Sequence, residues 1–297
     1  MTESPRPRGR FAPSPTGPLH FGSLVAALGS WMMARRRGGD WLVRVEDLDP
    51  PREVPGAAER QLETLAAFGM PPDGPVLRQS TRGGIYSAAL THLLESGQAF
   101  ECRCSRSELA AVGGIHRNCV GAGADRPASV RLRVPDQSLG FEDALQGHYR
   151  QDLGREVGDF VLRRADGCWA YQLAVVLDDA DQGITDVVRG ADLLDSTPRQ
   201  IFLQRQLGLP TPTHAHLPLV VDAEGNKLGK SLQALPVDAA EPWPALKAAW
   251  RFLGQPEPAL RPGASPETSL QRALAQFDPA RVPRVQAAPV SGTVPTP

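Results

Sequence analysis

The sequence predicts an α/β fold built on a parallel sheet with helices on both faces, an inserted β-rich segment and a short helical C-terminal extension. Three observations carry that expectation. An apolar strand, a stiff Pro/Gly loop and a helix succeed one another between Arg10 and Arg37. Short apolar runs then alternate with amphipathic stretches as far as Val221, the order of a doubly wound sheet. Residues 98–158 interrupt that alternation with polar turns, and three of the four cysteines fall within 101–120 of this segment. The arrangement is Rossmann-like.

The first unit reads Arg10-Phe11-Ala12-Pro13-Ser14-Pro15-Thr16-Gly17-Pro18-Leu19-His20-Phe21-Gly22-Ser23. Three prolines fix φ in the loop, and Gly17 supplies conformations closed to other residues. The helix beyond it ends in Arg35, Arg36 and Arg37, which suit the negative pole of its dipole. A strand, a tight loop and a helix N-terminus together expose unpaired N–H groups, an anion site in waiting. His20 stands at that opening, where Gly22 would let a ligand come close to the backbone. The plain alternative is an ordinary βα turn with His20 packed or solvated.

A second strand at 41–45 runs into Glu46-Asp47-Leu48-Asp49-Pro50-Pro51, acidic residues on the rim where α/β sheets bind ligands. Helices follow at 54–68, with Ala58, Leu62, Leu65 and Ala66 on one face, and at 80–96, with Tyr86, Leu90, Leu93 and Leu94 inward. After the inserted segment, Asp159 to Arg164 leads through an Asp166-Gly167 turn into 169–179, read as a buried central strand. Cys168, beside Trp169, is expected in the core. A further strand covers 184–192, Ser196-Thr197-Pro198 starts a capped helix, and 216–221 forms a last strand. Beyond Leu235 two short helices are expected, near 244–253 and 266–277. The stretch from Pro279 to Pro297 reads as disordered. The domain scheme is thus a main α/β domain over 1–235, with an insertion at about 98–158, and a short helical extension with a Pro-rich tail over 236–297.

Composition sets the outer bounds. At 41% hydrophobic and 22% charged residues this is a globular chain. No apolar run spans a membrane and the start lacks a signal-peptide core, so a cytoplasmic protein without membrane contact is expected. A net charge of -1 leaves nucleic-acid contact to local patches. The only lysines are Lys227, Lys230 and Lys247, in a chain otherwise using arginine. Two of them share Asn226-Lys227-Leu228-Gly229-Lys230-Ser231, where a compact, flexible ammonium can track a phosphate as a point charge.

Cys102, Cys104, His116 and Cys119 have the spacing of a tetrahedral zinc site that would stabilise a knuckle too small for a core of its own. One structural Zn²⁺ per chain is the expectation. A disulfide or buried free thiols are the alternatives, and His116 is the least regular ligand.

Taken together, these residues resemble the class I aminoacyl-tRNA synthetases of the glutamyl group. Pro13 to Ser23 is similar to the HIGH signature, with His20 and Gly22 matching and Ser23 in place of the final histidine. Lys227 to Ser231 is similar to KMSKS, with Gly229 where serine is usual. Arg44 to Pro50 and Val188 to Asp192 resemble the segments framing the amino-acid pocket. Only about 65 residues follow the lysine loop, which resembles truncated members that attach glutamate to the queuosine base in the tRNA(Asp) anticodon.

The resemblance implies ATP with Mg²⁺, L-glutamate and a queuosine-containing tRNA(Asp) anticodon stem-loop as partners. It places His20 and Lys230 as catalytic, and His20, Gly22, Lys227 and Lys230 against ATP. Arg10, Phe11, Ala12, Pro13, Ser14, Glu46, Tyr171 and Arg189 would form the glutamate pocket. Arg103, Arg106 and Arg117 are candidates to hold RNA. Two other readings share these motifs: a minimal synthetase charging the tRNA(Glu) 3′ end, and a non-catalytic zinc-bearing RNA-binding or amino-acid-sensing relative.

Overall fold

The structure, a computed structural model, describes residues 6–121, 123, 125–222, 225, 236–256, 260 and 264–289. The chain opens with β1 (Arg8–Phe11), α1 (Phe21–Arg36), β2 (Asp40–Val45), α2 (Ala57–Ala67), β3 (Leu77–Arg78) and α3 (Gly83–Glu95). The interrupting segment supplies β4 (Ala99–Cys102), α4 (Arg106–Ala110), β5 (Ser129–Leu132), β6 (Ser138–Asp143), β7 (Gly147–Asp152) and β8 (Val161–Arg163). Then come α5 (Tyr171–Asp181), β9 (Asp186–Gly190), α6 (Thr197–Gln206), β10 (Thr213–Leu217) and β11 (Leu219–Val221). The C-terminal part holds α7 (Pro242–Phe252), α8 (Pro266–Ala273) and β12 (Ala287–Pro289).

The main sheet has the order β3-β2-β1-β9-β10-β6-β7 and is parallel except for β7, which pairs antiparallel with β6. The chain winds outward from β1 in one direction and from β9 in the other. The gap between the ends of these two strands is the switch point at which such sheets bind ligands. β6 and β7 therefore extend the main sheet, whereas β4, β5 and β8 form a separate antiparallel sheet carrying the cysteine knuckle.

Strand alternation gives the sheet two chemically different faces. Phe11, Val43, Val188, Ala215 and Leu217 enter an apolar core with α1, α7 and α8. A Cβ on Gly9 would lie 3.1 Å from that of Ala34, so α1 sits close on β1 there. Arg10, Arg44, Arg189 and His216 point the other way, toward α5 and α6. Burying three guanidiniums under helices is tolerable only if each is hydrogen-bonded, and the site is built from those bonds.

Several expectations need correction. Residues 171–181 form helix α5 rather than a central strand; Leu173 to Asp179 are all buried, so no periodicity distinguished the two. On α2 the inward position falls to Gln61 while Ala66 is exposed, and on α3 Leu94 is 37% exposed. Gln61 Nε2 donates to the carbonyls of Ser14 and Gly17, tying α2 to the Pro/Gly loop. Cys168 is half-buried in the hairpin turn, where its backbone N–H donates to Asp166, and is not in the core. Ser196 gives α6 no side-chain cap. Residues 279–289, expected to be disordered, contain a 3₁₀ turn and β12, which pairs in parallel with β11. Among the described residues no helix is long and apolar enough to cross a membrane.

Candidate active site

A cleft of about 520 Å³ opens at the switch point. Of the residues expected in the glutamate pocket, Arg10, Phe11, Ala12, Pro13, Ser14, Glu46, Tyr171 and Arg189 all line it, and so do His20 and Gly22. Lys227, Gly229 and Lys230 lie outside the described residues. The chain on either side of them abuts the cleft: Leu219 and Val220 line it, Pro236 pairs with His20, and Val237 N–H donates to Leu19 O at 3.0 Å.

His20 is the N-cap of α1, and its Nδ1 accepts from Ser23 N–H at 3.3 Å. That bond turns the ring across the first turn, and a Cβ at position 22 would press on it at 3.3 Å. Gly22 thus makes room for the imidazole, and it also lines the cleft. The remaining N–H groups of the first turn keep their anion-binding character.

Beneath the cleft lies a network of paired charges. Arg10 meets both oxygens of Asp179, at 3.1 and 3.3 Å, and Arg44 Nη1 donates to the same carboxylate at 2.8 Å. Burial alone would raise the Asp179 pKa, but the Arg10 and Arg44 guanidiniums outweigh it and hold it at about 2. Arg44 also reaches Glu46 at 3.5 Å and Gln182 at 2.8 Å. For Glu46 burial wins, and its carboxyl is pushed above the usual range despite Arg44 and Arg10. Asp178, next along α5, instead binds Arg82, Gln79 and Tyr86, pinning α3. The sequence reading places Arg44 only within a segment framing the pocket and gives Asp179 no role, although an adjacent acid pair ending a buried apolar run is a visible signal.

Arg189 differs from the other two buried arginines. Its Nε donates to His216 Nε2 at 3.1 Å, Nη1 to Tyr171 Oη at 3.1 Å, and Nη2 to Thr197 Oγ1 and Gln200 Oε1 at 2.9 and 2.8 Å. Every one of these acceptors is neutral. Among the described residues no carboxylate forms an ion pair with it, although it is 6% exposed and lines the cleft. Burial lowers its pKa, yet an arginine keeps its proton. A buried cation that lines a cavity and has no ion-pair partner among the described residues suits an anionic ligand, to which the uncommitted N–H of Nη1 can donate.

On the separate sheet, the ligand atoms of Cys102, Cys104, His116 and Cys119 lie within 4.8 Å of one another. Tetrahedral zinc with these donors needs ligand–ligand edges of roughly 3.5–3.8 Å, a small contraction. Cys102 Sγ is already 3.2 Å from His116 Nε2. Asp159 Oδ2 contacts His116 Nδ1 at 2.9 Å, while its Oδ1 accepts from Val134 N–H at 2.8 Å. A carboxylate behind a histidine in this way fixes the tautomer that leaves Nε2 free to ligate. The cluster can hold a metal ion.

A parallel sheet with a histidine-capped helix and an arginine-floored cleft at its switch point defines a class I synthetase catalytic domain. The family model described as "tRNA synthetases class I (E and Q), catalytic domain" matches residues 7–243. A relative from Xanthomonas campestris called glutamyl-Q tRNA(Asp) synthetase is 65% identical over 94% of each chain. One of the same name from Pseudomonas aeruginosa is 55% identical over 95% of this chain and 97% of its own. The crystal structure of a glutamate tRNA ligase from Elizabethkingia meningosepticum, in complex with its amino acid, superposes with a TM-score of 0.78 at 27% identity. The match covers 96% of this chain and 67% of that one. The chain belongs to the class I tRNA synthetases, ATP-dependent ligases, and within them to the glutamyl-Q tRNA(Asp) synthetase family.

Proposed function

We propose that the chain activates L-glutamate with ATP and transfers it to the queuosine base in the anticodon of tRNA(Asp). The observation that carries the amino-acid half is Arg189, a buried guanidinium at the cleft floor whose protein partners are all neutral. The glutamate side-chain carboxylate fills that vacancy of charge, with Tyr171 beside it and Glu46 receiving the α-ammonium group. Arg10, Phe11, Ala12, Pro13 and Ser14 shape the wall between them. Support for the tRNA half comes from relatives of that name matched over 94% of each chain, whereas the match to the glutamate tRNA ligase covers 67% of that protein.

In activation an α-carboxylate oxygen of glutamate forms a bond to the α-phosphorus of ATP, and the bond to the bridging oxygen breaks, releasing pyrophosphate. The protein supplies alignment and neutralisation of phosphate charge. His20 and the first turn of α1 serve one side, with Gly22 making the ring's seat. Lys230 and Lys227 serve the other, and Mg²⁺ arrives with the nucleotide. A hydroxyl of the queuosine cyclopentene ring then attacks the carbonyl and AMP leaves. Exposed Arg103 and Arg106 on the knuckle hold the RNA backbone. Arg117 is committed to Asp136 at 2.6 Å and is the weaker candidate.

Glutamate-dependent ATP–pyrophosphate exchange tests the first step, and its absence would favour a binding protein. Labelled glutamate offered with queuosine-containing tRNA(Asp), the unmodified form and tRNA(Glu) tests the second. Product with tRNA(Glu) alone would overturn the proposal in favour of 3′-end charging.

The knuckle cysteines with His116 hold structural Zn²⁺, which when bound ties β4 to the loop before β5. Asp159→Asn would turn an amide N–H toward His116 Nδ1 and so place a proton on the ligating nitrogen. Zinc affinity is expected to fall by roughly 10–100-fold, read by chelator competition.

A further inference from the structure

Asp143 and His216 lie outside every motif that suggested the function, yet they stand directly behind Arg189. Both are buried, at 4% and 0% exposure. We propose that Asp143 fixes the tautomer of His216, and that the resulting Nε2 acceptor aims the Arg189 guanidinium into the cleft, making both positioning residues for glutamate selection. This rests on the reading of Arg189 as the carboxylate-binding group.

The hydrogen bonds leave little freedom. Arg189 Nε can only donate, so His216 Nε2 must accept from it at 3.1 Å. The imidazole proton therefore sits on Nδ1, which donates to Asp143 Oδ2 at 2.6 Å. Thr197 Oγ1, 3.2 Å from the same Nε2, also binds Arg189 Nη2 and so locks the second edge of the fork. The other oxygen of Asp143 is fully engaged. Oδ1 accepts from the backbone N–H groups of Leu145, Gln146 and His216 at 3.0, 2.9 and 3.1 Å. The carboxylate is thus a two-sided clamp: one oxygen shapes the β6–β7 turn and joins it to β10, the other dictates where the imidazole proton sits.

This division makes the near-isosteric Asp143→Asn informative. Three backbone donors hold the amide oxygen at the Oδ1 position, so the NH₂ must occupy the Oδ2 position and face His216 Nδ1. The imidazole then accepts there and carries its proton on Nε2, pointing an N–H at the N–H of Arg189. The guanidinium loses its acceptor and turns away, with little change in shape elsewhere.

Two measurements decide the matter. Side-chain ¹⁵N spectra are expected to show His216 protonated on Nδ1 in the wild type and on Nε2 in Asp143→Asn. In ATP–pyrophosphate exchange the same variant is expected to raise the glutamate KM by about tenfold or more, the loss of one hydrogen bond to a charged group, with the ATP KM nearly unchanged. His216→Gln, which keeps an acceptor near the Nε2 position, retains most glutamate affinity, whereas His216→Leu loses it. On the His216→Gln background Asp143→Asn adds little. An Asp143→Asn effect of equal size on both backgrounds, or an inverted tautomer with an unchanged glutamate KM, would overturn the inference. Should Asp143→Asn not fold, equal glutamate KM values for the Gln and Leu variants would do the same. Failure of the wild type to use glutamate at all would instead sink the reading of Arg189, while leaving the tautomer assignment to be read by the spectra.

Discussion

Arg189→Leu is expected to reduce kcat/KM for glutamate roughly a thousandfold, about 4 kcal/mol, in the exchange assay. A cation buried at the cleft floor has already lost most of its hydration, so a carboxylate arriving there meets a desolvated partner. Removing that partner leaves the incoming charge buried without compensation. The ATP KM should change little, because the proposed nucleotide contacts are those of His20 and the first turn of α1. Arg189→Lys is not expected to restore activity: an ammonium has three donors and cannot serve His216, Tyr171, Thr197 and Gln200, whereas the guanidinium serves all four and keeps one Nη1 N–H for the ligand. The same geometry predicts rejection of glutamine, whose neutral amide would leave the guanidinium without a counter-charge. A variant that discriminates against glutamine as well as the wild type does would place the carboxylate elsewhere.

Much of the cleft was legible because its residues lie in local motifs. The Pro/Gly loop announces itself by composition, and His20 by its place before an apolar helix. Arg10 and Arg189 alternate with apolar neighbours, Phe11 and Val188, in strands with one apolar face. The supporting layer was not legible, since it is assembled from distant segments. Asp179 meets Arg10 and Arg44 across more than 130 positions of chain, and nothing local marks a carboxylate that will be buried. The helix carrying it was itself misread. Tyr171-Gln172-Leu173-Ala174-Val175-Val176-Leu177 is buried almost all round by the sheet, α3 and α6, so it has no polar face to betray a 3.6-residue period. Length was the remaining clue, since eleven residues exceed an ordinary strand. Asp143 was hidden differently: it closes a hairpin that looked like part of the insertion, and only the sheet order brings it beside β10.

Asp179→Asn is expected to destabilise the fold by about 3 kcal/mol at neutral pH, because it strips the shared counter-ion from Arg10 and Arg44. Arg44 keeps Glu46 and a distant Asp178, but Arg10 has no second carboxylate among its described contacts. For a chain of this size the thermal midpoint should drop by roughly 6–10 °C. Acid titration separates this charge effect from mere loss of shape. The Asp179 carboxyl sits at about 2 in the fold, against about 3.9 in an unfolded chain. Above about pH 4 it is ionised in both states, and the depressed pKa contributes its full stabilisation, about 2–3 kcal/mol. As the pH falls from about 4 toward 2 the unfolded chain takes up the proton first, and that contribution is lost. The stability gap between wild type and variant should therefore narrow across this window in denaturant melts. Glu46, whose carboxyl burial pushes upward, works in the opposite sense and favours the fold in acid, but it is present in both proteins. A gap that stays constant from pH 7 to pH 2 would mean that the two arginines do not depend on the Asp179 charge. The polar layer under the cleft would then be held by packing rather than by ion pairing.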